Sequence, residues 1–183
     1  MLYIMRHGLT DWNEKHKLQG KTDIPLNEQG IRMATEAAKA CQNVNFDVCY
    51  CSPLKRALQT AKIVLKDRNI PIITDDRLME MSFGIYEGVE NSFQIADCPI
   101  NVAFLEPENY HSIPKGAESF EDLFARTGEF LKTVIFPELE SGKDILIVGH
   151  GAMNTSIVCQ IRNIPIEQFW SVGIDQCRLE RLL

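Results

Sequence analysis

Histidine and arginine residues recur where predicted strands end. Arg6 and His7 follow the apolar run Leu2–Met5, and His150 follows the apolar run Ile145–Val148. Because parallel strands bring the residues that follow them to one edge of a sheet, we expect these side chains to lie close together. Guanidinium groups match the oxygens of a phosphate, and an imidazole beside them can act as a nucleophile or as a donor. The pattern therefore favours phosphoryl transfer through a phosphohistidine.

More polar residues are predicted at the same edge. Ser52 and Arg56 follow the predicted strand Val44–Tyr50, and Glu80 lies six residues beyond Thr74, where the third predicted strand ends. A carboxyl group in such a site can give and take a proton. Taken singly, a histidine at a strand end is more often a buried, hydrogen-bonded residue, and an arginine early in a helix is usually a surface charge. Their convergence on one edge is what favours a catalytic site.

The elements that must position these residues alternate between strand and helix. Strands are predicted at Leu2–Met5, Val44–Tyr50, Ile70–Thr74 and Ile145–Val148, and at Val172–Leu183 as a last strand. Helices are predicted from a cap at Asn27 to about Gln42, and at Leu54–Lys66, Ala117–Ile135, Ala152–Ile161 and Ile166–Trp170. This alternation predicts an α/β fold, a three-layer sandwich with a mostly parallel sheet and helices on both faces.

Three local signals refine the helices. Ser52 is expected to cap the helix at Leu54, with Pro53 in its first helical position. Pro137 is expected to end the helix that begins near Ala117. Helical spacing also predicts that Ile31 faces the core in the first long helix.

Length and charge limit the classes of function. The chain has 183 residues and a formal net charge of −6, and 24% of its residues are charged. We expect a single domain over 1–183 with a small cap insertion at about 84–116, where glycines and prolines interrupt every periodic pattern. An acidic chain disfavours nucleic acid as a partner. No apolar run approaches a membrane span and no signal-peptide core is visible, so we expect a cytoplasmic protein without a membrane partner.

The six cysteines are expected to be reduced thiols. Without a sign of export, reduced thiols are the more common state. Cys49 and Cys51 share one face of a predicted strand, but a zinc half-site would need a second pair of ligands, so core packing is the favoured interpretation.

The ordered set of motifs resembles the histidine phosphatase superfamily, also called the phosphoglycerate mutase-like family. The resemblance extends from Met1 to about Ile164. The matching stretches are, in chain order, Arg6-His7-Gly8-Leu9-Thr10 with Trp12-Asn13; Gly20, Asp23, Pro25, Leu26 and Gly30; Ser52-Pro53-Leu54 with Arg56-Ala57 and Gln59-Thr60-Ala61; Leu78, Glu80, Phe83-Gly84 and Tyr86-Glu87-Gly88; Gly116, Glu118-Ser119, Asp122 and Arg126; and Val148-Gly149-His150-Gly151.

The resemblance implies a role for each site residue. It implies that His7 is the nucleophile and that Glu80 protonates the leaving oxygen and then deprotonates water. It also implies that the phosphate is bound by the basic residues Arg6, Arg56 and His150, with substrate contacts from Asn13, Gln19 and Gly151. No metal or other cofactor is expected, because the arginines and the second histidine neutralise the phosphate charge.

The predicted cap favours a phosphatase over a mutase. The stretch 84–116 contains five acidic residues, one lysine and no arginine, and Phe83 stands where family mutases usually place a tyrosine. Its aromatic residues suit a neutral or apolar leaving group on a small phosphorylated metabolite, and its acidity disfavours bisphosphates. The alternatives are a phosphoglycerate mutase and a pseudoenzyme that binds phosphorylated ligands. An exposed edge strand could support a homodimer.

Overall fold

A computed structural model describes all residues, 1–183, and contains a five-stranded sheet in the order β3-β2-β4-β1-β5. The strands are β1 (Leu2–Arg6), β2 (Val48–Cys51), β3 (Ile72–Thr74), β4 (Ile145–Gly149) and β5 (Leu179–Arg181). The first four run parallel, and β5 pairs antiparallel with β1 at one edge. The predicted α/β fold with a mostly parallel sheet is confirmed.

The register between β1 and β4 brings the two histidines together. Arg6 lies opposite Gly149, so His7 and His150 leave the sheet at the same level. The His7 N–H donates to the Gly149 carbonyl at 3.0 Å, which extends the pairing by one residue. Two segments far apart in sequence therefore reach the same end of the sheet.

Helices cover both faces of the sheet. They are α1 (Asp11–Glu14), α2 (Glu28–Ala40), α3 (Lys55–Val64), α4 (Val102–Leu105), α5 (Phe120–Phe130), α6 (Phe136–Glu140) and α7 (Gly151–Arg162). In β4, Ile145 and Ile147 join the larger core cluster, and Leu146 and Val148 join the smaller one on the opposite face. This alternation follows from the two-residue period of a strand. No helix is both long and apolar enough to cross a membrane.

Three strands are shorter than predicted because pairing partners limit them. Strand β2 begins at Val48, opposite Ile145, rather than at residue 44. Strand β3 begins at Ile72, opposite Cys49, rather than at residue 70. The last strand covers only Leu179–Arg181, since a 3₁₀ turn occupies Ile166–Val172.

Two predictions about helix ends are wrong. Helix α3 begins at Lys55, whose N–H is capped by Asp23 Oδ1 at 2.7 Å, so Ser52 is not its cap. Pro137 does not end the helical segment, because a π-helical turn at Leu131–Ile135 widens the path just before it. Pro137 then lies in the first turn of α6, where no N–H is required.

Of the remaining expectations, the one about the cysteines is confirmed and the one about Ile31 is wrong. All six cysteines are free thiols, and Cys49 and Cys51 are fully buried in the core as predicted. Ile31 is 44% exposed, which corrects its assignment to the buried face of α2. That face is instead formed by small residues such as Ala34 and Ala37. The segment 84–116 contains only α4 and short 3₁₀ turns, in keeping with its glycines and prolines.

Candidate active site

A cavity of about 170 Å³ opens at the carboxyl edge of the parallel strands. Seven of the eight residues predicted for the site line it: Arg6, His7, Asn13, Gln19, Arg56, Glu80 and Gly151. The eighth, His150, is fully buried behind them, with its ring centroid 5.2 Å from that of His7. The structure thus brings the predicted set together, while the role of each residue stays a prediction.

The ring of His7 is oriented for attack through Nε2. Its Nδ1 lies 2.6 Å from the Gly8 carbonyl oxygen. Because a carbonyl oxygen only accepts, Nδ1 must carry the proton, which leaves the lone pair on Nε2. Burial lowers the pKa of His7 well below its usual value, and the charges of Arg56 and Arg6 lower it further. The imidazole is therefore neutral and nucleophilic at physiological pH.

His150 is held by Ser52, the residue expected to cap α3. The His150 Nε2 lies 2.7 Å from the Ser52 hydroxyl oxygen, and Nδ1 is buried without a partner. Burial lowers the pKa of His150 well below its usual value, with a further contribution from Arg56. Ser52 therefore fixes the orientation of a neutral ring whose other nitrogen is available to a ligand.

The two arginines form the cationic part of the site. Arg56 is fully buried, and its two terminal nitrogens donate to the carbonyls of Gly20 and Thr22 at 2.7 and 2.8 Å. Its Nε and the Nε of Arg6 are buried without a partner. Burial lowers the pKa of Arg56 to about 10, so the group remains charged at neutral pH. Buried donors without partners are costly, and an anion bound here would satisfy them.

Glu80 lies at the N-terminus of α7. Its Oε1 accepts from the N–H groups of Met81 at 2.9 Å and Met153 at 3.0 Å, whereas Oε2 has one longer contact, 3.3 Å to the Ala152 N–H. A Cβ added at Gly151 would lie 3.5 Å from Oε2 and 3.7 Å from Arg6 Nη2, so Oε2 and Arg6 share the space above this glycine. Oε2 is therefore the oxygen with capacity left for proton transfer.

Asn13 and Gln19 present amide groups to the cavity. The Asn13 Oδ1 accepts from the Thr10 N–H at 3.1 Å and from Gln176 Nε2 at 3.1 Å, and the Gln19 Oε1 accepts from the Thr10 hydroxyl at 2.9 Å. With both oxygens occupied by protein donors, each NH₂ group is free to donate to an anion.

Glu87 supports the site from a distance, and we had not predicted a role for it. Its carboxylate accepts from the N–H groups of Lys21, Thr22 and Phe83 at 3.0, 2.9 and 3.1 Å. These bonds hold the loop whose carbonyls, at Gly20 and Thr22, accept from the Arg56 guanidinium. The signal available in the sequence was an acidic residue beside a glycine, which does not distinguish a buried anion from a solvated one.

The outer wall of the cavity is aromatic. Phe83, Phe104 and Trp170 line it, and the rings of Phe104 and Trp170 stack with centroids 5.2 Å apart. Trp170 was not among the residues predicted for the site, so its place in the cavity wall is an addition. Lys17 also lines this outer part.

The acidic side chains of the cap segment 84–116 do not line the cavity. None of its five acidic residues lines the cavity: Glu87, Glu90, Asp97, Glu106 and Glu108. The only acidic residue in the lining is Glu80. Phe104 is the only residue of the segment 84–116 in the lining. Two acidic residues of the cap act on lining cations from outside it: the charge of Glu87 offsets part of the lowering of the Arg56 pKa by burial, and Glu90 lies 3.9 Å from Lys17 Nζ.

Comparisons with known proteins agree with the arrangement. The profile of the histidine phosphatase superfamily (branch 1) matches residues 2–183. An uncharacterized phosphatase of Bacillus subtilis, PhoE, is 35% identical over 158 residues, covering 86% of this chain and 75% of that protein. A 2,3-bisphosphoglycerate-dependent phosphoglycerate mutase 2 of Gloeobacter violaceus is 29% identical, covering 97% and 82%. The solved structure of Bacillus stearothermophilus YhfR is 31% identical with a TM-score of 0.87, covering 97% and 88%.

Proposed function

The chain belongs to the histidine phosphatase superfamily (branch 1), and we propose that it is a metal-independent phosphomonoester hydrolase that acts through a phosphohistidine. The observation that carries the proposal is the geometry of His7, which lines the cationic cavity and whose contact between Nδ1 and the Gly8 carbonyl leaves the lone pair on Nε2. The substrate we propose is a small phosphorylated metabolite.

In the first step, His7 Nε2 attacks phosphorus and the bond from phosphorus to the alcohol oxygen breaks. The leaving oxygen takes a proton from Glu80 at Oε2. Arg6, Arg56 and His150 stabilise the charge on the phosphoryl oxygens, because their unpartnered nitrogens become hydrogen-bond donors to these oxygens. The protein supplies this charge neutralisation with its own side chains, which is why no metal enters the proposal.

In the second step, water attacks phosphorus and the bond to Nε2 breaks. Glu80, now a carboxylate, accepts a proton from this water and returns to its starting state. The N–H groups at the start of α7 keep the carboxylate in place during both steps. Inorganic phosphate then leaves.

Hydrolysis is favoured over a mutase by the content of the cavity wall. A mutase must retain and turn a substrate with a second anionic group. This calls for cations outside the phosphate cradle, which we define as Arg6, His7, Arg56, Glu80 and His150. Lys17 is the only cation in the outer wall, and the segment 84–116 contributes only the ring of Phe104. The named relatives include both phosphatases and mutases, so their names do not separate the two activities. The choice of hydrolysis is supported by the residues of the cavity wall.

The test is hydrolysis of phenyl phosphate with a chelator present. We expect turnover by the native protein and a loss of at least about a thousand-fold for His7→Ala. The native protein, denatured during turnover, should carry a phosphoryl group on His7. Turnover at the native rate by His7→Ala would end the proposal.

The two alternatives give different results. A mutase would interconvert 2- and 3-phosphoglycerate faster than it hydrolyses them, and would respond to a bisphosphate primer. A pseudoenzyme would bind phosphate without releasing any alcohol from phenyl phosphate.

A further inference from the structure

A second chamber adjoins the phosphate cavity. It has a volume of about 350 Å³ and shares Asn13, Lys17 and Leu18 with the inner cavity. The inner cavity, at about 170 Å³, is smaller than the roughly 300 Å³ at which ordinary ligand pockets begin. The outer chamber, reached past Lys17 and Leu18, therefore offers space for an alcohol larger than a few atoms.

The backbone at the rim of the outer chamber is strained on both sides. His16 and Asn91 both line it and have φ angles of 49° and 50°, which residues other than glycine rarely adopt. The Asn91 N–H donates to the His16 carbonyl at 3.0 Å, and the neighbouring residues Lys17 and Glu90 form an antiparallel bridge. Strained residues of this kind concentrate at ligand sites, where surrounding structure holds them in place.

The side chains of the outer chamber offer hydrogen bonds together with an aromatic surface. His16, Asn91 and Gln94 line the chamber, and their side chains form no hydrogen bond within the protein. Phe93 keeps 59% of its surface exposed, and its ring meets Phe104 with centroids 5.7 Å apart. An aromatic surface thus continues from the inner cavity into the chamber, flanked by free amide groups.

We propose that the outer chamber binds a heteroaromatic ring on the alcohol part of the substrate, so that nucleoside monophosphates are the preferred class; this rests on the proposed phosphatase function. Amide groups read the hydrogen-bonding edge of a base, and an exposed aromatic side chain provides a stacking surface for its face. Lys17, at the junction of the two spaces, is placed beside the sugar that links base and phosphate. A purely apolar ring would leave the free amides of Asn91 and Gln94 without partners.

The test compares adenosine 5′-monophosphate with ribose 5-phosphate, which lacks only the base. We expect the native protein to have a kcat/KM at least about ten-fold higher for the nucleotide, since stacking of one base has an effect of this size. Phe93→Ala should reduce that preference about ten-fold. Ile95→Ala is the matched control, because Ile95 is 45% exposed just beyond the same turn and does not line the chamber.

Gln94→Ala provides a second variant that leaves the contact between Phe93 and Phe104 intact, and it should also reduce the preference for the nucleotide. Phenyl phosphate is measured with every variant as the common reference, and the preference for the nucleotide is taken relative to it, because Phe93→Ala removes a contact with Phe104 in the inner wall. The control Ile95→Ala should leave the kcat/KM for phenyl phosphate unchanged. Equal kcat/KM values for adenosine 5′-monophosphate and ribose 5-phosphate in the native protein would overturn the outer-chamber proposal while hydrolysis of phenyl phosphate continued. A preference for the nucleotide that both Phe93→Ala and Gln94→Ala left unchanged would overturn it as well. Loss of phenyl phosphate hydrolysis in the native protein would instead overturn the phosphatase proposal.

Discussion

The inner cradle and the outer wall of the site are built in different ways. In the cradle, the positions of His7 and His150 follow from the register of two parallel strands that pair residue by residue. In the outer wall, Phe104 and Trp170 come from a short helix and a 3₁₀ turn that are separated by 66 residues in the chain, and side-chain stacking brings them together.

This difference explains why the two regions differ in what they can recognise. The cradle contains buried charges and unpartnered donors, so it favours an anion and tolerates little change. The wall consists of aromatic side chains with one lysine, held by ring stacking and by a hydrogen bond from Trp170 Nε1 to the Ala103 carbonyl at 2.8 Å, and it can be repacked without disturbing the cradle. We infer that the chemistry of the reaction is set inside and the choice of alcohol is set outside.

Glu80→Gln should have the largest effect among the tests that separate the two regions. Glutamine keeps the size of the side chain but cannot transfer a proton, so kcat for phenyl phosphate should fall by about 10²- to 10⁴-fold. A substrate with a more acidic alcohol, 4-nitrophenyl phosphate, needs less protonation of its leaving oxygen and should lose less. Steady-state rates for the two esters measure this difference.

Trp170→Phe is the matched change in the wall. It should alter the relative rates of hydrolysis for phosphate esters of different alcohols. The rates for the two aryl esters should change by the same factor. If Glu80→Gln reduced the rates for both esters by the same factor in the first step, Glu80 would not be the acid for the leaving group.

Glu87→Gln should reveal how far the cradle depends on support from the cap segment. The new NH₂ group would face backbone donors that now bond to the carboxylate, so the loop carrying Gly20 and Thr22 should loosen and Arg56 should lose its fixed position. We expect the affinity for inorganic vanadate or phosphate to fall about ten-fold and KM to rise more than kcat falls. Calorimetric titration measures the affinity.

Asp97→Asn is the control, since Asp97 belongs to the same segment, is exposed, and does not line the phosphate cavity. Thermal unfolding is measured beside the titration. A loss of stability in Glu87→Gln with unchanged anion affinity would show that Glu87 supports the fold without positioning Arg56.

The same contrast decides what the sequence could predict. The edge of the sheet was predictable because apolar runs such as Ile145–Val148 mark buried parallel strands and place the next residue at a known edge. The partner of Ser52 was not predictable, because a serine before a proline is an ordinary cap signal and His150 lies 98 residues away. The continuation of the helical segment past Pro137 was not predictable either, because it depends on a π-helical turn that has no sequence signature here.

The sequence also could not show in which direction the acidic side chains of the cap segment would point. Five acidic residues in one segment suggested an acidic cavity, yet Glu87 accepts hydrogen bonds inside the fold and none of the five lines the cavity. Side-chain direction in an irregular segment depends on tertiary contacts, since no period of two or 3.6 residues applies to it.

Ser52→Ala should have a smaller effect that is confined to the cradle. Without the Ser52 hydroxyl, His150 Nε2 loses its partner and neither ring nitrogen has one within the protein, so the ring can adopt the wrong tautomer or orientation. We expect kcat to fall about ten-fold and the pH profile of kcat/KM to shift, which a purely structural change would not cause. Ser171→Ala is the control, because its hydroxyl donates to the Gln168 carbonyl on an exposed turn.

The pH dependence of stability should include a contribution from the two histidines of the cradle. Burial lowers the pKa of His7 and His150 in the folded state, whereas unfolded histidine takes up a proton near pH 6.5. As the pH falls below about 6.5, the unfolded state therefore binds more protons, and the free energy of unfolding decreases by up to about 1.4 kcal/mol per pH unit for each histidine. Above that pH this contribution is constant. Urea unfolding of the native protein between pH 7.5 and 5.5 measures the slope, which His7→Gln should reduce, since folding excludes the proton from a buried histidine. An equal slope in the native protein and in His7→Gln would contradict this account.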